Sequence, residues 1–165
     1  VYKRQSYNFA GGLNSNGCSK KTILAIMNQI LISFYKDAFS SLHCSVCNGK
    51  VNIAKPLLVL SVLKLMDDCV QNNRFSIQSI KEKYEELQQQ YAATTPYQYP
   101  LYFLENETFF HLKWKETRIK IHTPSAKLIR ENVEYAYLDN ALWDLLQEQH
   151  MREAFQTIIV NNFLK

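Results

Sequence analysis

Apolar side chains recur at two different periods along the chain, and the change of period divides it into parts. From Met27 onward Ile30, Phe34, Ala38 and Leu42 fall at helical spacing and predict a first helix. The stretch His43 to Ala54, with its Cys, Asn, Gly and Lys residues, reads as a loop. Pro56 then opens a second helix, where its missing N–H costs nothing. The string KPLLVLSVLKLM is apolar almost all round, which predicts a helix buried in the middle of a domain. Asn72-Asn73 ends it. Ser76 is a suitable N-cap for a third helix, in which Ile77, Ile80, Tyr84, Leu87 and Tyr91 make one stripe. Lys81, Glu82, Lys83, Glu85 and Glu86 cover the other face.

Past the loop expected over Ala93 to Pro100 the period shortens. LYFLENETFFHLKW reads as two strands joined at Glu105-Asn106-Glu107, with a third expected over Arg118 to His122. Pro124 begins a short helix near Ala126 to Arg130, at its first position. Two further helices are expected over Asn140 to Gln149 and Met151 to Phe163. Their inner faces carry Leu142, Leu145 and Leu146, then Phe155, Ile158 and Ile159. The fold class is therefore α+β: a mostly helical domain with a small inserted antiparallel sheet. The expected domain runs over 27–165. The opening string Val1-Tyr2-Lys3-Arg4-Gln5 has the look of a translated adaptor, so residues 1–26 are expected to be a non-native or disordered leader with the true start at Met27.

Composition adds little until it is resolved by position. The 165 residues include ten tyrosines, nine phenylalanines and two tryptophans, enough to fill a sizeable core. The net charge of +4 is unevenly spread. Between Thr108 and Arg130 stand Lys113, Lys115, Arg118, Lys120, Lys127 and Arg130 against Glu116 alone. From Glu131 onward acidic residues dominate. A polyanion would find an attractive middle and a repulsive tail.

The usual catalytic patterns are missing. The four glycines form no phosphate-binding loop, and no nucleophile elbow occurs. His43, His111, His122 and His150 never pair at metal-binding spacing. Of Cys18, Cys44, Cys47 and Cys69 only Cys44 and Cys47 are spaced as metal ligands, and they lack a second pair, so no metal and no cofactor is expected. Asp67, Asp68, Asp139 and Asp144 read as helix-surface charges or caps rather than nuclease ligands. No apolar run approaches membrane-spanning length.

Four strings in order resemble one family: KPLLVLSVL from Lys55, Tyr99-Pro100 leading into LYFL, FFHL from Phe109, and YAYLDNALWDLL from Tyr135. Together they resemble the DNA sulfur-binding domain at the front of phosphorothioate-dependent restriction endonucleases of bacteria, in which an HNH nuclease domain follows. The resemblance covers roughly 36–164. It implies a cytoplasmic protein whose chain here has no catalytic residues and binds double-stranded, phosphorothioate-modified DNA. In such a domain a shallow apolar cup would favour sulfur, which is larger and less hydrated than oxygen. The resemblance assigns that cup to Tyr99, Pro100 and Phe103, the last standing where the family has a small residue. It leaves phosphate binding to Lys50, Lys55, Lys113 and Arg118. Ala54 stands where the family often has a His, with Lys50 the nearest upstream base. A reader of unmodified or otherwise modified DNA with the same fold, or a protein-interaction domain, are the alternatives.

Overall fold

A computed structural model describes residues 15–68 and 70–165. Much of the expected leader, and Cys69, lie outside the described residues. The chain divides into two units, 1–30 and 31–165. In the first, residues 15–30 belong to helix α1 (Ser15–Ser40), and Ile23, Leu24, Ile26, Met27 and Ile30 are more than half exposed.

The second unit is α+β, as expected. Of the apolar stripe expected at its opening helix, Ala38 and Leu42 meet the core, but Ile30 and Phe34 do not belong to the buried face. Phe34, like Ile30, is at least half exposed, while Tyr35, Phe39 and Leu42 are buried. Those three are spaced i, i+4, i+7, so they form the inward face, about one residue round the helix from Phe34.

The segment expected as one loop after α1 contains a hairpin, β1 (Val46–Cys47) and β2 (Lys50–Val51). Asn48 and Gly49 join the strands, both at positive φ, as a two-residue primed turn requires.

Helix α2 (Ala54–Asp67) is buried at eleven of its positions and runs through the core. Asn52 Oδ1 accepts from the Ala54 N–H at 2.9 Å and starts it. Helix α3 (Ile77–Gln90) begins where expected, with Ser76 Oγ accepting from the Ser79 N–H at 3.1 Å. Its Ile80, Tyr84 and Leu87 stripe packs on the core. Beyond its end the Ala93 N–H bonds to Gln88 O, and Ala92 takes φ +51°. This is a Schellman end with alanine where glycine is usual. Ala92→Gly is therefore expected to raise the unfolding free energy by about 0.5–1 kcal/mol, the relief of a left-handed alanine less the extra freedom of the unfolded chain. Urea unfolding checks it; a midpoint that falls would mean the strain is not there.

Two of the expected strands are corrected. LYFL is not a strand: Gln98–Leu104 is helix α4, with Pro100 in its first turn and Leu101, Tyr102 and Leu104 buried. A short run apolar on every position cannot be assigned by period, and burial on several sides decides for helix. Arg118 to His122 is irregular chain, pinned because the Tyr102 hydroxyl donates to Ile119 O and accepts from the Ile121 N–H.

The strand β3 (Phe110–Trp114) pairs antiparallel with β4 (Val133–Leu138) instead, with Phe110 opposite Leu138 and an irregularity at Lys113/Trp114. A single rung, Phe75 with Ala136, adds a third edge. Between them lies α5 (Ala126–Asn132), capped by Ser125 Oγ, so Pro124 precedes the helix rather than opening it. After the short helix α6 (Asn140–Leu145), helix α7 (Gln149–Ile159) and a π-helical turn over Val160–Leu164 close the core against α2. No helix among the described residues is long and apolar enough to cross a membrane.

Candidate nucleic-acid interface

Helix α4 presents Tyr99, Pro100 and Phe103 to one depression of about 370 Å³. Phe103 stands four positions after Tyr99 and three after Pro100, so a helix brings it beside both, which is how a loop-and-strand expectation and a helix can deliver the same three residues. Pro100 is buried; Tyr99 and Phe103 are half-buried. Facing them are Ala54 and Lys55 from the start of α2, and His43, Cys44 and Ser45 from the segment after α1. Asn52, Thr95 and Asn106 complete the rim.

The walls are held by bonds that leave the interior free. Tyr84 and Gln88 of α3 donate to Thr95 O at 2.8 and 3.1 Å, and Asn52 Nδ2 donates to Thr95 Oγ1 at 3.3 Å. Behind the lining, Glu107 is buried. Its Oε1 accepts from Lys55 Nζ at 2.9 Å and from the His43 N–H at 3.1 Å, and its Oε2 lies 3.4 Å from His43 Nδ1. Burial pushes the Glu107 carboxyl up, but the bond and charge of Lys55, with the bonds from His43, outweigh it and hold the group below the usual carboxylate range. Burial also pushes the Cys44 thiol up, against the charge of Lys55.

The expected cup residues are therefore brought together, and Lys55 joins them. Lys55 is only 14 % exposed and tied to Glu107, so much of its charge is met inside the protein. Arg118 reaches the rim: its guanidinium donates to Asn106 Oδ1 at 3.1 Å, pairs with Glu105 at 2.9 Å and lies over the Tyr102 ring. Lys50 is exposed on β2 and does not line the depression. Lys113 lines a separate depression beside Arg74, Tyr135 and Tyr137.

Sequence reading misses His43, Asn52, Thr95 and Glu107 as parts of this site. Spacing gives His43 no partner and offers Glu107 only as a turn residue. No local pattern joins positions so far apart.

Asp67 and Asp139 have structural partners. Asp67 accepts from Arg152 and Gln156, both at 2.8 Å; burial raises its carboxyl, and these bonds outweigh that and lower it. Asp139 is the N-cap residue of α6 and meets the Tyr35 hydroxyl and His111. Cys44 and Cys47 are free thiols. No three His, Cys, Asp or Glu side chains gather as metal ligands among the described residues.

No protein-family model matches the sequence, and no curated protein does. Among solved structures the chain is similar to that of the sulfur-binding domain and SRA domain of ScoMcrA complexed with phosphorothioated DNA. The TM-score is 0.61 at 12 % identity, over 76 % of this chain and 40 % of that one. The chain thus spans less than half the length of that protein, and what the two have in common is a fold.

Proposed function

We propose that this domain reads duplex DNA carrying a phosphorothioate, without cutting it, and delivers a nuclease domain elsewhere in a restriction protein. The observation that carries this is the convergence of Tyr99, Pro100 and Phe103 on one mostly apolar depression with Lys55 and His43 at its side. A soft, weakly hydrated sulfur gains from apolar contact that a phosphate oxygen would not repay. The fold likeness to a protein solved with phosphorothioated DNA, and the four resembling strings, support the same reading.

Two departures from the family pattern find a physical answer here. Phe103 walls the cup without filling it, since about 370 Å³ remains open with its ring in place. Ala54 removes an imidazole from the start of α2, but His43 brings one to the same depression from another segment. Phosphate contacts then fall to Arg118 and Lys50, which position the duplex while the cup tests one atom. Lys55 acts mainly by holding Glu107 and lending the remaining charge to the cup.

A duplex with one phosphorothioate is expected to bind about tenfold tighter than its all-oxygen twin. Roughly 40–60 Å² of apolar contact at about 25 cal/mol/Å² is worth about 1–1.5 kcal/mol. Tyr99→Ala should erase that preference and leave most of the plain-DNA affinity. Arg118→Gln should weaken both duplexes and flatten their salt dependence. Titrations by fluorescence anisotropy across a salt series read all of these. Equal binding of the two duplexes, in the native protein and in Phe103→Ala, would rule out sulfur reading.

A further inference from the structure

The ribbon of β3 and β4 has an outer face that the sulfur cup does not use. Phe110, Leu112, Trp114, Ala136 and Leu138 point into the core, so the pleat sends their neighbours outward. Pairing sets His111 opposite Tyr137 and Lys113 opposite Tyr135. The Phe75–Ala136 rung brings Arg74 alongside, its guanidinium 5.0 Å above the Tyr135 ring. Tyr135 and Tyr137 stand 6.0 Å apart with their planes at 59°. Arg74, Lys113, Tyr135 and Tyr137 line a depression of about 410 Å³, edged by asparagine side chains, with no carboxylate among the described lining residues. Asp139, just before Asn140, is engaged by His111 and the Tyr35 hydroxyl, and Glu134, beside Tyr135 on β4, is exposed and does not line the depression.

The geometry points to a second nucleic-acid surface here, which takes an unpaired nucleotide: the base against Tyr135 and Tyr137, the phosphate on Arg74 and Lys113. Two cations without a facing carboxylate select an anion. Two aromatic rings beside them select an anion that carries a flat group, since every base has a face to stack. A closed duplex hides its base faces, so the occupant is a strand that has left the stack. Asn140, exposed at the edge, accepts from Asn73 Nδ2 at 3.4 Å and offers its own amide N–H to a base edge. Asn73 does not, because its amide is spent on both backbone groups of Leu138. The two linings share no residue, so this surface stands whether or not the cup reads sulfur.

The test uses a fluorescein-labelled oligodeoxythymidine of about 12 nucleotides, within the span such surfaces cover, with no sulfur in it. The full chain should bind it. Tyr137→Leu should weaken binding roughly tenfold, the usual loss for one stacked base. Lys113→Gln should lower the log–log salt slope by about 0.7, the share of one single-strand phosphate. Lys127→Gln, on the exposed side of α5, should leave binding unchanged. Circular dichroism melting on each variant separates lost contact from lost fold. Absence of binding, or binding that Tyr137→Leu and Lys113→Gln leave intact in folded protein, would overturn the inference.

Discussion

Replacing Phe39 by alanine is expected to lower the unfolding free energy by about 3–5 kcal/mol, the usual range for a fully buried ring. Phe39 is 1 % exposed and stands between two others, 4.6 Å from Phe109 and 4.8 Å from Phe155. It therefore ties α1 to the entry of β3 and to α7 at one point. Each ring pair adds to the area it buries. The site also has little room to relax: a void of about 10 Å³ already lies beside Phe39, walled by α2 residues Val59, Val62 and Leu63. Truncation would enlarge that void rather than close it. Urea unfolding should show the midpoint falling with the slope unchanged, and Phe39→Leu should retain much of the lost stability. A loss below about 1 kcal/mol would mean that the core collapses around the gap more freely than close packing allows.

Removing the Glu107 carboxylate should cost about as much, for a different reason. Glu107→Leu leaves Lys55 with its charge buried and unmatched, and breaking such a pair from one side typically costs about 3–5 kcal/mol. The His43 N–H loses its acceptor as well. Adding Lys55→Met should return most of the loss, because no charge is then left without a partner. The pH dependence has a definite sign. The folded carboxyl lies below its ordinary value, so its contribution is complete above the unfolded value of about 4.3 and is lost as pH falls through the folded one. Unfolding midpoints measured from neutral pH downward should draw closer in acid for the native protein and the Glu107→Leu variant. A gap that stays constant with pH would show that packing, not charge, is what Glu107 supplies.

The three cup residues are legible because Tyr99, Pro100 and Phe103 are close in sequence and fall within one resembling string. Their neighbours are not, since His43 and Lys55 meet Glu107 across long sequence separations. Helices α2 and α3 can be read from period and caps, with Ser76 as the clearest signal. Helix α4 reads wrongly as a strand because LYFL is apolar at every position and has no period to follow. The sheet exists as expected but with another partner: Tyr135 to Leu138 alternates well, yet its place just before a helix disguises it as a connection. Charge alone groups Lys113 with Arg118, whereas the β3 pleat turns it toward Arg74.

The seam around Glu107 also bears on how the chain is made. His43 and Glu107 are 64 positions apart, and Lys55 and Glu107 are 52. At a synthesis rate of about 5–20 residues per second, the first wall of the pocket waits roughly 3–13 s for the carboxylate that will fasten it. During that interval Lys55 has no Glu107 to neutralise it and stands in water as an ordinary cation. A ribosome-bound chain halted before residue 107 should therefore hold polyanions loosely and without preference. If the proposed reading holds, selectivity arrives only when the later segment emerges and takes that charge inside.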